Sequence, residues 1–262
     1  RVKMKSNKVV LSAKNISITF GALKAVTDFN LEIKENELVG LIGPNGAGKT
    51  TVFNIITGVY SPTSGEYYFN GEPVTKTPTY KLVKKGLART FQNIRLFKYM
   101  SVLDNVLVAN NFNMKYGILS GIFRFPNYWR EEKEAKEKAM ELLKIFDLDQ
   151  YADTAAGNLP YGKQRKLEIA RAMATNPKLL LLDEPAAGMN PTETEELMNT
   201  IRLIRDKFNI AILLIEHDMK LVLGICERLV VLDHGTTIAA GDPIEVINTP
   251  AVVTAYLGQE EE

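Results

Sequence analysis

The octapeptide GPNGAGKT at 43–50 leaves this chain few architectures to choose from. Its glycines let the backbone curl through conformations that other residues avoid, so that successive N–H groups turn toward one point. The apolar run LVGLI precedes it and TVFNIITG follows, which predicts a buried strand at 38–42, a tight loop and then a helix. A loop of this kind holds phosphate. Backbone amides and a helix N-terminus wrap the oxygens, Lys49 neutralises charge on the β and γ groups, and the Thr50 hydroxyl is offered to Mg²⁺. Gly43, Pro44, Asn45, Gly46, Ala47, Gly48, Lys49, Thr50 and Thr51 are therefore the candidate nucleotide-binding residues.

A second segment, LLLLDEP at 179–185, narrows the chemistry. An apolar strand ending in Asp183 delivers a carboxylate to the metal, and the adjacent Glu184 can orient the attacking water or take its proton. His217 follows the strand AILLIE, where an imidazole can donate a hydrogen bond to a terminal phosphate. Gln92, in RTFQNIRLF, is an amide placed to touch metal or water where the core meets a helical region. Taken singly, His217 and Gln92 read as ordinary structural residues.

Alternation and β-branched content predict strands at 9–20 and 26–33, a short strand at 67–69, and a turn at Asn70 and Gly71. The continuous apolar runs at 178–183 and 210–215 suit buried parallel strands, and 229–232 with 237–239 suits a terminal hairpin turning at 233–236. Between these, Ser101 is a helix N-cap and 130–147 is a charged amphipathic helix with Ala135, Ala139, Leu142, Leu143 and Phe146 on its apolar side. The expected fold is α/β: a P-loop core with a mixed sheet and an antiparallel β portion, into which a helical subdomain is inserted. Its expected limits are 1–92 and 159–262 for the core and 93–158 for the subdomain. The aromatic stretch NMKYGILSGIFRFPNYW within the subdomain has no clean period. It suits either a docking surface or a satellite hydrophobic cluster.

Composition closes off some classes. The 32 basic and 31 acidic residues leave a net charge of +1, which gives a nucleic-acid partner no support. No apolar run reaches the length of a bilayer span, and the basic N-terminus has no apolar stretch behind it, so a soluble, unexported chain is expected. The single cysteine, Cys226, lies in the apolar stretch LVLGICERLVVL and reads as a buried thiol.

Together GPNGAGKT, Gln92, LPYGKQ, LLLLDEP and His217 stand in the order found in the ATPases of ABC transporters, and the chain resembles that family over essentially its whole length. The resemblance makes ATP the nucleotide and Mg²⁺ its metal, held by Thr50, Gln92 and Asp183. It makes Glu184, His217 and Gln92 the catalytic set, and Leu159, Pro160, Tyr161, Gly162 and Lys163 the signature segment. It also puts Phe20, at the end of the first strand, against adenine.

The resemblance further implies partners: a second ABC ATPase subunit, identical or different, transmembrane permease subunits and, indirectly, a substrate-binding protein, at the cytoplasmic face of a membrane. In such pairs the signature of one protomer closes over ATP held by the other. KLEIARAMATNPKLLLLDEPAAGMNP, EHDM and GDPIEVINTPAVVTAYLG look like the ATP-binding subunits of branched-chain amino acid importers, the Liv G type. A lipid or lipopolysaccharide exporter motor and a soluble ABC ATPase are the alternatives. Two departures stand out. The usual LSGGQ reads LPYGK, and Asn190 replaces the common aspartate after LLLLDEP.

Overall fold

The buried strands fall where uninterrupted apolar runs predict them, and they join into one sheet. The structure, a computed structural model, describes residues 8–110 and 126–257. Strands β1 (Val9–Phe20), β2 (Leu23–Lys34), β3 (Leu38–Ile42), β4 (Ser64–Phe69), β5 (Glu72–Pro73), β6 (Leu87–Arg89), β7 (Leu179–Asp183), β8 (Ala211–Ile215), β9 (Arg228–Asp233) and β10 (Thr236–Gly241) form two sheets. One is antiparallel, in the order β2-β1-β4-β5; the other runs β10-β9-β3-β8-β7-β6, parallel except for its terminal hairpin. The helices are α1 (Lys49–Ile56), α2 (Thr79–Lys85), α3 (Val102–Asn110), α4 (Pro126–Ile145), α5 (Tyr161–Met173), α6 (Pro191–Phe208), α7 (Met219–Ile225), α8 (Pro243–Ile247) and α9 (Pro250–Leu257).

Alternation along the parallel strands feeds two cores, because successive side chains point to opposite faces. Leu38, Leu180, Leu182, Ile212, Leu214 and Val231 pack on the helical side with Val102, Leu143 and Phe146. Val39, Leu41, Leu179, Leu181, Leu213 and Val230 face the other way, against Phe53 of α1 and against Phe29, Tyr67 and Phe69 of the antiparallel sheet. A fully covered parallel sheet leaves only its strand ends open to solvent, and the loops there are free to carry chemistry. Gly40 permits the tight seam between β3 and β9: a Cβ at this position would sit 2.6 Å from Leu229 Cδ2 and 3.0 Å from Cys226 Sγ. Cys226 is buried, as expected.

Several boundaries differ from the sequence expectation. β2 starts three residues earlier than its alternation suggests, at Leu23, because it pairs with the exposed end of β1 at Phe20. Strand β6 was not anticipated: three residues carry no period, and only pairing with β7 makes them a strand. Helix α4 ends at Ile145, two residues short of the expected limit, since Asp147 turns into the left-handed region at φ 56°. Its expected apolar residues Ala135, Ala139, Leu142, Leu143 and Phe146 are all buried. Ser101 does cap α3, its Oγ accepting from the Asp104 N–H at 3.0 Å. Most of the aromatic stretch lies outside the described residues; Trp129, within α4, is exposed.

Candidate functional site

The loop at 43–50 leaves β3 and enters α1 with Gly43, Gly46 and Gly48 all at positive φ, at 146°, 77° and 102°. Two of these glycines also make room for backbone. A Cβ on Gly43 would lie 2.0 Å from the Leu232 carbonyl oxygen, and one on Gly48 would lie 2.8 Å from that of Ala25. The loop is tied to the β9–β10 turn, whose Gly235 N–H donates to the Ala47 carbonyl at 3.0 Å. Lys49 is buried, and its ammonium donates to the Gly43 and Pro44 carbonyls at 2.6 and 2.7 Å. Burial pulls its pKa below the ordinary lysine value, and the charges of Glu184 and then Asp183 work against that pull. Thr50 is exposed at the mouth of the loop.

Asp183 ends β7, and Glu184 follows it at φ 47°, a left-handed conformation costing about 1 kcal/mol or more in a residue with a Cβ. A hydrogen bond from its N–H to the Ile215 carbonyl, at 2.9 Å, holds it there. Its Oε2 accepts from Gln92 Nε2 at 2.7 Å and lies 3.3 Å from His217 Nε2. Thus Lys49, Gln92, Asp183, Glu184 and His217, drawn from four separated segments, are brought together beyond the ends of β3, β6, β7 and β8. The arrangement offers a buried cation, a carboxylate base and two polar side chains that orient it, which suits hydrolysis of a bound polyphosphate.

Mg²⁺ prefers oxygen donors and ordinarily keeps several waters, so a few protein oxygens suffice for it. The Thr50 hydroxyl, the Asp183 carboxylate and the Gln92 amide are donors of that type. No cluster of three or more His, Cys, Asp or Glu that could cage a metal occurs among the described residues.

Phe20 and the signature segment stand apart from this centre. Phe20 is 44% exposed, and its ring meets Tyr60 edge-on at 5.3 Å, leaving an aromatic face at the surface. Leu159 is buried, and Pro160 precedes α5 without a side-chain cap. Gly162 rests so closely on α6 that a Cβ would meet Glu193 Oε1 at 2.7 Å. Tyr161 lies against Gly188, and the Lys163 ammonium sits 4.7 Å over the Tyr151 ring. Among the described residues no hydrogen bond or ion pair joins 159–163 to the phosphate loop. Asn190 forms a capping box with Glu193 at the start of α6, which gives this residue a structural task.

Three charged residues escaped the sequence reading. Arg89 Nη2 donates to Asp183 Oδ2 at 2.7 Å in a nearly buried pair, while Nη1 donates to Asn54 Oδ1 at 2.7 Å and the guanidinium lies near the Phe53 and Phe91 rings. Glu216 is buried. Its Oε1 accepts from the Ala186 N–H at 2.8 Å and Oε2 from the His217 N–H at 3.1 Å, so one carboxylate braces the loops after β7 and β8. Burial raises its pKa, and these backbone donors oppose the rise. Arg165, fully buried in α5, bonds the backbone of Phe91 and Gln92. The only hint for Arg165 was a charge on an apolar helical stripe with Ile169 and Ala172.

Comparison with known proteins agrees with this geometry. The ABC transporter family profile matches residues 26–187. The high-affinity branched-chain amino acid transport ATP-binding protein BraF of Pseudomonas aeruginosa is 46% identical over 250 residues, covering 95% of this chain and 98% of its own. LivG of Escherichia coli, of the same description, is 47% identical with the same coverage. Among solved structures, the ADP conformation of MJ1267, an ATP-binding cassette of an ABC transporter, superposes with a TM-score of 0.83 at 33% identity, covering 95% of this chain and 99% of that one.

Proposed function

The chain belongs to the ABC transporter family as an ATP-binding, ATP-hydrolysing subunit, and on that premise we propose that it powers the uptake of branched-chain amino acids. The observation that carries the hydrolytic part is the Glu184 carboxylate, held by Gln92 and His217 beside the buried Lys49 ammonium. The identity to BraF and LivG along nearly their whole length supports the cargo. The working assembly pairs this chain with a second ATPase subunit, docks both on permease subunits at the cytoplasmic face of a membrane, and receives amino acid from a binding protein. The chain's own part in it is a nucleotide-binding core of 1–92 and 159–262, with 93–158 as its helical subdomain. No helix among the described residues is long and apolar enough to cross a membrane.

In this reading the amides of 43–50 and Lys49 bind the ATP phosphates, with Thr51 beside them and Phe20 stacked on adenine. Thr50, Gln92 and Asp183 would hold Mg²⁺, which when bound would neutralise phosphate charge. Arg89 occupies one oxygen of Asp183 and so steadies the carboxylate whose other oxygen would serve the cation. Glu184 takes the proton of the attacking water, Gln92 keeps that carboxylate aimed, and His217 donates to the γ-phosphate side. Glu216 sets the backbone that carries His217. Reconstitution with the permease subunits in vesicles tests the cargo. ATP-driven leucine uptake is expected, and ATP hydrolysis with no such uptake would reject it.

The LPYGK segment points to unequal sites. Proline at 160 brings neither a hydroxyl nor an N–H to the start of α5, while the helix N-terminus and the Gly162 amide can still face a partner's phosphate. Pro160→Ser is expected to change hydrolysis at the partner's P-loop by about tenfold, the scale of one hydrogen bond to a charged group, and to leave this chain's Lys49 site little altered. Single-turnover assays on the pair, with one P-loop lysine removed at a time, measure each site. Equal changes at both would refute the asymmetry.

A further inference from the structure

Arg165 is a fully buried charge that the hydrolytic reading does not use. Its Nη1 donates to the Phe91 carbonyl at 2.8 Å and to Glu168 Oε2 at 2.9 Å. Its Nη2 donates to the Gln92 carbonyl at 2.7 Å and to the Tyr161 hydroxyl at 3.3 Å. Glu168, also buried, accepts the Arg95 N–H at 3.3 Å through its other oxygen. The planar fork of a guanidinium can hold two adjacent carbonyls at once, which a single ammonium cannot do. One side chain on α5 therefore grips the segment 91–95 at several points, and the same guanidinium touches Tyr161 of the signature.

We propose that Arg165 is a positioning residue that fixes the backbone of Gln92 to the signature-bearing helix, so that Gln92 meets Glu184 only when 159–163 is correctly set. The contacts run unbroken from Glu184 through the Gln92 side chain to its carbonyl, then through Arg165 to Tyr161 and the N-terminus of α5. The link joins two functions that the pairing of protomers separates. Glu184 serves the nucleotide on this chain, whereas the signature serves the nucleotide on the partner. A shift of α5 at the partner's site thus alters the aim of Glu184 in this one.

The proposal rests on the reading of Gln92 and Glu184 as hydrolytic residues, and the test separates the two. Arg165→Lys preserves a cation for Glu168 and loses the fork. In the assembled complex it is expected to keep its melting temperature and to hold ATP within about twofold of the parent, while turnover falls about tenfold, the scale seen when outer-shell support is lost. In a Gln92→Ala background that tenfold loss should vanish, because residues acting through one another are not additive. Additive losses, or parental turnover in Arg165→Lys, would overturn the proposal and leave the Gln92 reading intact. Parental turnover in Gln92→Ala alone would overturn the reading and the proposal with it. Should Arg165→Lys fail to fold, Arg165→Met combined with Glu168→Gln, which removes both buried charges, is read in the same cycle.

Discussion

Glu184→Gln is expected to bind ATP as the parent does and to hydrolyse it about 100- to 1,000-fold more slowly. The amide has nearly the shape of the carboxylate, and residue 184 keeps its left-handed backbone through the hydrogen bond to Ile215. The amide oxygen can still accept from Gln92, which reaches Glu184 Oε2 at 2.7 Å in the parent. What the substitution removes is the capacity to take a proton from water. One of the two negative charges that oppose the lowering of the Lys49 pKa also disappears, yet Asp183 remains. Steady-state phosphate release and equilibrium nucleotide binding, measured on the same preparation, check the two halves separately. Sustained turnover would remove Glu184 from the role of base.

Lys49→Ala acts at the earlier step. The ammonium is buried and bonded to two carbonyls of its own loop, so truncation removes the cation that meets the phosphates and leaves those carbonyls without their donor. Losing one partner from a buried charged contact costs about 2–5 kcal/mol, and ATP affinity is accordingly expected to fall by about 100-fold or more. The fold should persist, because Ile42, Val52 and Phe53 on either side of the loop belong to the hydrophobic cores. Titration with a fluorescent nucleotide, alongside a circular dichroism melt, distinguishes lost binding from lost structure. Affinity near the parental value in a folded protein would contradict the role given to Lys49.

The residues legible in the sequence were those whose task is local. Loop 43–50 and the strand end at Asp183 announce themselves because glycine spacing, an apolar run and the adjacent acids all lie within a few positions of one another. The buried strands were readable in the same way, from the uninterrupted apolar runs of β3, β7 and β8. Arg89 and Asp183 are 94 positions apart, Arg165 and Gln92 are 73 apart, and Glu216 reaches back 30 positions to Ala186. No local period encodes such contacts. They appear only when parallel strands, connected through long crossovers, set their ends side by side. β6 was missed for the same reason, since its three residues become a strand only at the edge of β7.

Cys226 carries a practical consequence. Its thiol lies beneath Gly40, at the seam of β3 with the start of β9, and burial pushes its pKa up to about 12. The thiolate is the form that attacks thiol reagents, so the packed molecule is inert to them and reacts only while that seam stands open. Because the chain has one cysteine, the rate of labelling is a clock for a single event, the parting of the central sheet, and no engineered probe is needed. The phosphate loop continues directly from β3, so any ligand that pins the loop slows the same clock. Occupancy of the nucleotide site can therefore be timed from the middle of the strand that leads into it.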